Sequence, residues 1–376
     1  MSWGTFELGN IIDLSKGKKH VVDPLGKIRY INIEDLHNPQ NSVFTTEKGT
    51  EVVSSDLIIA WDGANAGKVG VGYEGVIGST LARMRIKRKD FDSRFLFWVL
   101  ESKNELIKSQ RTGATIPHVN GSALKELPIP NPPLPIQKRI AEILDAADAL
   151  RKKDKELLKK YDELAQAIFI DMFGDPVKNE KGWEMRTIGE VCHYVKDGPH
   201  VSPKYTTTGI PFISVNNIIK GSIDLSNSKF ISQEDFEIYS KKGKPEKNDM
   251  LYTKGGTTGF AKRVDVDFDF VQWVHVALLK FNHANLNVVF FEYMLNSSFC
   301  YHQSQLLTKG IANRDLVLGE IKKIKILFPA IKIQKEFETK VSLIERGKYE
   351  LANSEKNSKN LFDSLIQKAF SGELVS

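Results

Sequence analysis

Cysteine is nearly absent from this chain of 376 residues, with Cys192 and Cys300 alone. Two thiols cannot build a disulfide framework or a four-cysteine zinc site. Long apolar runs are also missing. Nothing approaches the ~18 residues that a membrane-spanning helix needs, so no membrane association is expected. The opening MSWGTFELGN lacks a basic stretch followed by an apolar one, and no signal peptide is expected. The eight histidines show no HExxH spacing, and no Ser/His/Asp or Cys/His arrangement stands out. Charge of one sign is not in large excess either. The net charge of +6 is a mild bias toward an anionic partner, spread as +2 over residues 1–133, 0 over 134–172, +3 over 173–330 and +1 over 331–376. With 41% hydrophobic and 27% charged residues, the chain has the composition of a globular protein of two or three domains.

What is present is a repeat. WGTFELGNIIDLSKGKKH from Trp3 matches WEMRTIGEVCHYVKDGPH from Trp183 at an offset of 180, sharing Trp3/Trp183, Gly9/Gly189 and His20/His200. FLFWVLES from Phe95 parallels FFEYMLNS from Phe290. At an offset of 197, Gly113 pairs with Gly310, Ile129 with Ile326, Pro132 with Pro329, and Gln137-Lys138 with Gln334-Lys335. LAQAIF from Leu164 then parallels LIQKAF from Leu365. A period this long means two duplicated modules, not a solenoid.

Each module begins with short apolar runs punctuated by Gly, Asn and Pro. Ile28–Ile33, Val52–Trp61, Leu81–Ile86, Ile210–Val215 and Val271–Phe281 read as strands. Helices are predicted over Ser93–Lys108 and Leu286–Leu307. Each module ends in a long helix. In the first, Ile140, Ile143, Ala147, Leu150, Leu157, Tyr161, Leu164 and Ile168 form a heptad seam broken only at Asp154. Pro135 suits its first turn, and Gly174-Asp175-Pro176 stops it. In the second, Phe337, Val341, Ile344, Leu351, Phe362, Leu365 and Ala369 share one phase, interrupted at Lys348, Glu355 and Ser358.

Two such helices pair most simply with each other. The linker from Gly174 to Trp183, about ten residues, reaches at most ~35 Å and cannot run back along a helix of ~54 Å. An antiparallel pair is therefore expected, with one globule at each end and an approximate two-fold relation. The fold class is α+β (mixed α/β). Two globules, 1–133 and 174–330, are joined by two antiparallel coiled-coil helices, 134–173 and 331–376. Two kindred heads at a set separation suit a duplex with two half-sites, which are typically read about one turn (~34–36 Å) apart.

Four stretches stand out: Thr112-Gly113-Ala114-Thr115-Ile116, LKELPIPNPPLPIQKRIAEIL (Leu124 to Leu144), Phe173-Gly174-Asp175-Pro176 and QKAFSGEL (Gln367 to Leu374). In these the chain resembles the specificity subunit of type I restriction-modification systems. Gly310-Ile311-Ala312-Asn313 departs from the first phrase in the second half. The resemblance implies a non-catalytic, cytoplasmic DNA-reading subunit of a prokaryote. Its heads, the target-recognition domains, would each read half of a bipartite double-stranded target. Its helices would set the spacer and dock two methyltransferase (modification) subunits. No cofactor is implied in this chain. S-adenosylmethionine, ATP and magnesium would belong to those subunits and to a restriction/translocase subunit. The competing readings are a self-contained methyltransferase or restriction enzyme, and a coiled-coil interaction scaffold.

Motifs that suggest chemistry weigh little. Asn131-Pro132-Pro133-Leu134 lacks the aromatic residue that an adenine methyltransferase stacks on its base, so it reads as a proline-rich helix entry. Gly63-Ala64-Asn65-Ala66-Gly67-Lys68 is one residue short of a phosphate loop, and Val69 stands where a magnesium-binding hydroxyl would be.

The DNA-contact candidates are loop residues with cations and amide or imidazole donors. In the first module they are Lys18, Lys19, His20, Asn65, Lys68, Arg111, Thr112, Thr115, His118 and Asn120. In the second they are Lys196, His200, Lys204, Thr257, Thr258, Lys262, Arg263, Lys309, Asn313 and Arg314. The run Arg83 to Lys89 reads as a solvated strand edge, and Arg151, Lys152, Lys153 and Lys155 as solvating or partner-docking residues.

Overall fold

The computed structural model describes residues 3–37, 43–113, 115–219, 221–310 and 313–375. Ala114, Ile311 and Ala312, within the two glycine-centred phrases, lie outside them. The chain forms two compact units. The first comprises Met1–Leu157 with Leu351–Ser376, and the second comprises Leu158–Glu350. The unit boundaries fall inside the long helices. Each unit thus holds one head plus part of both helices.

The two heads share one plan. In the first unit an antiparallel sheet runs in the order Ile12–Lys16, Leu81–Ile86, Leu57–Ala60, Val69–Val71. In the second the order is Cys192–Asp197, Val276–Phe281, Met250–Thr253, Ala261–Arg263. A smaller sheet in each contains one parallel pairing, Ile28–Ile31 beside Gly75–Ile77 and Ile210–Ile213 beside Val271–Gln272. A short ribbon ties the start of each head to its exit, Thr5–Glu7 on Pro128–Pro130 and Met185–Thr187 on Lys325–Leu327.

Several expected elements are divided. The run 52–61 breaks because Asp56 turns the chain, its carboxylate accepting from Val53 N at 3.0 Å. The run 271–281 breaks at Trp273, whose carbonyl accepts from Val276 N, and its halves join different sheets. The helix at 93–108 is two, Ser93–Ser102 and Asn104–Ser109, and the helix at 286–307 is likewise Val288–Leu295 and Ser298–Leu307. At the second break a local polar cap outcompetes helix continuation: Ser297 accepts from Cys300 N and starts a new helix.

The long helices run Leu134–Phe173 and Ile331–Ser371. Gly174 and Gly372 follow them at φ of +79° and +83°, left-handed conformations that end a helix cheaply only at glycine. Within each unit the helices are antiparallel. In the first unit Arg151 stacks on Phe362 while Asp154 bonds Ser358. In the second, Asp162 pairs with Lys348 while Phe173 packs on Phe337.

The seam of the second helix is as expected, with Phe337, Val341, Ile344, Phe362 and Ala369 buried and Leu351 and Leu365 half-buried. The first helix needs a correction. Leu150 and Leu164 are each 48% exposed, whereas Leu144 and Ala165, which directly follow the seam positions Ile143 and Leu164, are buried. Ile143, Ala147, Leu157, Tyr161 and Ile168 are half-buried, and Ile140 is buried. The helix packs on its head as well as on its partner helix, so the buried stripe is wider than a two-stranded seam and rotated from it. Ile140, Ala141 and Leu144 join Phe95, Trp98 and Phe362 in one core. Phe169 and Phe173 join Phe290 and Phe337 in the other, with ring centroids 4.7–6.1 Å apart. Cys192 and Cys300 are buried in that second core, and desolvation pushes each thiol up to about 12.

Candidate nucleic-acid interface

Gln137 and Gln334 establish the duplication at the level of hydrogen bonds. Both are fully buried at the start of a long helix. Gln137 accepts from Asp92 N and donates to the carbonyls of Asp90 and Pro132, at 2.8–2.9 Å. Gln334 accepts from Asn287 N and donates to the carbonyls of Pro329 and Asn285, at 2.7–3.3 Å. Asp92 and Asn287 cap the helix that follows each of them.

The loops that the sequence singles out converge at one end of each head's main sheet. Gly17 and Gly198 pass so close to a neighbouring strand that a Cβ would sit 2.2 Å from the Gly78 carbonyl oxygen and 1.8 Å from that of Gln272. Only glycine permits this crossing. Next to it, residues 112 and 118 pair backbone to backbone, as do 309 and 315. Gly113 and Gly310 open these loops at φ of +92° and +80°. The carbonyls of Pro117 and Arg314 accept from Gly63 N and Gly256 N, so these two residues occupy the same place in the two heads.

On matching backbones the side chains differ. In the first head Asp62 receives Lys16 at 3.2 Å and lies 2.6 Å from His118 Nδ1. In the second head the buried Lys254 takes the central place, held by Asp315 at 2.9 Å and Asp197 at 3.6 Å. The polarity of the cluster is reversed. Both arrangements tie the glycine-opened loop to the end of the sheet.

Lys18, Lys19, Thr112 and Thr115 are exposed in the first head, and Asn65, Lys68, Arg111 and His118 are partly so. Arg111 also braces the loop, donating to the Ala64 carbonyl at 3.3 Å, and Lys68 Nζ lies 2.9 Å from His37 Nδ1. In the second head Lys196, His200, Lys204, Thr257, Lys309, Asn313 and Arg314 are exposed. A cleft of about 1140 Å³ brings Thr257, Asn313 and Arg314 together with Tyr205, Asn216 and Trp273. The sequence reading missed Tyr205, Asn216 and Trp273, because isolated aromatics and amides in loops carry no periodic signal.

Five candidates are corrected. His20 is only 7% exposed, beside Glu47 and edge-on to Tyr30, so it belongs to the fold. Its pairing with the exposed His200 therefore does not extend to environment. Asn120 spends its side-chain oxygen capping the Gly121–Lys125 helix. Thr258 is buried and bonded to Thr308. Lys262 is 4% exposed, between Asp265 and Glu292. Arg263 bonds Glu292 and reaches Glu345 on the second long helix, fastening that helix to the head. Glu292 is so deeply buried that desolvation raises its pKa even with Lys262 and Arg263 against it. In the first head, Arg94 and Trp98 perform the corresponding fastening onto Asp145 of the first long helix.

Among the described residues, no group of three or more His, Cys, Asp or Glu side chains is placed to hold a metal ion. No helix is long and apolar enough to cross a membrane. Fold and site together define a duplicated, two-headed recognition protein whose heads share a scaffold and differ in the side chains it presents.

Comparison with known proteins places this class in a family. The chain belongs to the type I restriction modification DNA specificity domain family, which matches it twice, over residues 1–160 and 180–359. It is 24% identical to the type I restriction enzyme MjaVIII specificity subunit of Methanocaldococcus jannaschii, over 97% of this chain and 92% of that one. It is 23% identical to the EcoBI specificity subunit of Escherichia coli, over 92% of this chain and 80% of that one. The fold is that of a type I restriction-modification S subunit from M. genitalium, with a TM-score of 0.64 at 19% identity, covering 98% of this chain and 96% of that one.

Proposed function

We propose that this chain is the DNA-reading, non-catalytic specificity subunit of a cytoplasmic type I restriction-modification enzyme. Each head reads one half of a bipartite duplex target, and the antiparallel helices set the unread spacer between the halves. Two methyltransferase subunits dock on the assembly and bring S-adenosylmethionine. A restriction/translocase subunit brings ATP and magnesium. One observation supports this reading above the others: at matching positions of one scaffold the heads present different side chains, Lys16 against Asp197, Asp62 against Gly255 and Pro117 against Arg314. A duplicated enzyme would be expected to keep its reacting groups in both copies. A pair of readers for an asymmetric target has to differ.

Exposed lysines such as Lys18, Lys19, Lys204 and Lys309 supply phosphate attraction, which falls steeply with salt. Loop side chains supply the choice of bases. Methylome sequencing of host cells with and without the gene tests the proposal. Loss of one bipartite methylated motif is the expected result, and an unchanged methylome refutes it.

A further inference from the structure

Arg314 is a base-reading candidate whose place in the other head is held by a residue without a side-chain donor, Pro117. Contacts to the sugar-phosphate backbone serve both heads alike, because every duplex has that backbone. A donor found in one head only is free to serve the choice of sequence.

Arg314 is also held ready. Its main-chain carbonyl is tied to Gly256 N at 3.1 Å. Its Nη2 donates to Gln305 Oε1 and reaches Thr258 Oγ1 at 3.4 Å. Gln305 cannot flip away freely, since its Nε2 donates to the Thr258 carbonyl at 3.1 Å and to Ser304 Oγ at 3.0 Å. Thr258 and Ser304 are themselves buried. Among the described residues the guanidinium makes no other hydrogen bond, so Nε and Nη1 stay available at the exposed lip of the cleft with Asn313 and Trp273. With Nη2 anchored, the free Nη1 N–H can donate to O6 or N7 on the major-groove edge of guanine, and the Nη2 N–H that faces Thr258 at 3.4 Å is the donor a two-point contact would add.

We infer that Arg314 is the guanine-reading side chain of the second head and that Gln305 is its positioning residue. The inference rests on the DNA-reading function proposed above.

The test uses the full chain assembled with methyltransferase subunits, presented with a pool of duplexes randomised in both half-sites. The bound fraction is sequenced. Wild type is expected to select a bipartite motif with a G·C pair in the half read by the second head. Arg314→Ala and Arg314→Gln should lower the preference for that one pair roughly ten- to a hundred-fold and leave the other half unchanged. The intact half reports that the variant chain is folded. Gln305→Ala should weaken preference at the same pair by a smaller factor, with no change elsewhere, as expected of a residue acting through Arg314. An unchanged motif in the Arg314 variants overturns the inference. Equal weakening on all duplexes also overturns it, by making Arg314 a phosphate contact. Failure of the wild type to select any motif would instead strike the proposed function itself.

Discussion

Ser358 Oγ donates to Asp154 Oδ2 at 2.9 Å, and both residues are buried. These are two of the positions at which the apolar seams of the long helices are broken. The interruptions meet, and each satisfies the other. A polar pair inside an otherwise apolar helix interface favours one register, because any slip leaves both groups buried without a partner.

Removing one side of that pair should therefore cost more than removing both. Ser358→Ala leaves a buried carboxylate unpaired and should destabilise the first unit by about 1–3 kcal/mol. The double change Asp154→Leu with Ser358→Val should recover most of that loss. Chemical denaturation followed by tryptophan fluorescence measures both. The double variant should also tolerate alternative helix registers, seen as a broadened distribution of selected spacer lengths.

Gln137 and Gln334 each join a long helix to the entry of a head helix. Gln137→Leu removes one acceptor and several donor contacts while leaving backbone groups of Asp90, Asp92 and Pro132 buried. A loss of about 2–4 kcal/mol is expected, with a comparable loss for Gln334→Leu. Calorimetry on the two single variants and the double variant should give nearly additive effects, since the residues lie in different units.

Asp56 sets a pH dependence. Burial opposes its charge, yet the Arg85 fork at 2.7 and 2.9 Å and the Val53 amide outweigh it and hold the carboxyl below its ordinary value of 3.8. A folded pKa below the unfolded one contributes stability that is complete above the unfolded value and disappears as pH falls through the folded one. The stability of the first unit should thus decline as pH drops below about 4. Asp56→Asn should be less stable at neutral pH and flatter over this acid range, as measured by thermal melts at several pH values.

Gly17 and Gly198 are places where a single methyl group acts on function. Gly198→Ala drives a Cβ into the Gln272 carbonyl and displaces the strand end that carries Lys196 and the loop that carries His200. Selection on a randomised duplex pool should then lose the half-site of the second head only. Gly17→Ala should lose the other half. Loss of both halves from either change would contradict independent reading by two heads.

The duplication and the antiparallel helices are legible in the chain because they rest on spacing: shared glycines and tryptophans at constant offsets, apolar residues every three or four positions, and a linker too short to double back; the family is legible only through the resemblance of a few motifs, such as Phe173-Gly174-Asp175-Pro176. The seam phase of the first helix was not legible. Leu150 and Leu164 satisfy the heptad as well as Leu144 and Ala165 do, and only the docking of the head on the helix selects between them. The same holds for the strands that break at Asp56 and Trp273, where one hydrogen-bonded turn outweighs a continuous apolar run.

By itself the sequence determined that two similar modules exist, where the two long helices start and stop, and that the modules differ in their loops. These are one-dimensional properties, set by backbone stereochemistry and by the period of apolar residues. Tertiary structure alone decided which loop residues face solvent. His20, Thr258, Lys262 and Arg263 have the composition of an interface but are spent on internal partners, while Arg314 is braced with donors to spare. A polar side chain carries no local mark of whether its partner lies within the protein, because that partner is distant in sequence and is supplied only when the chain folds.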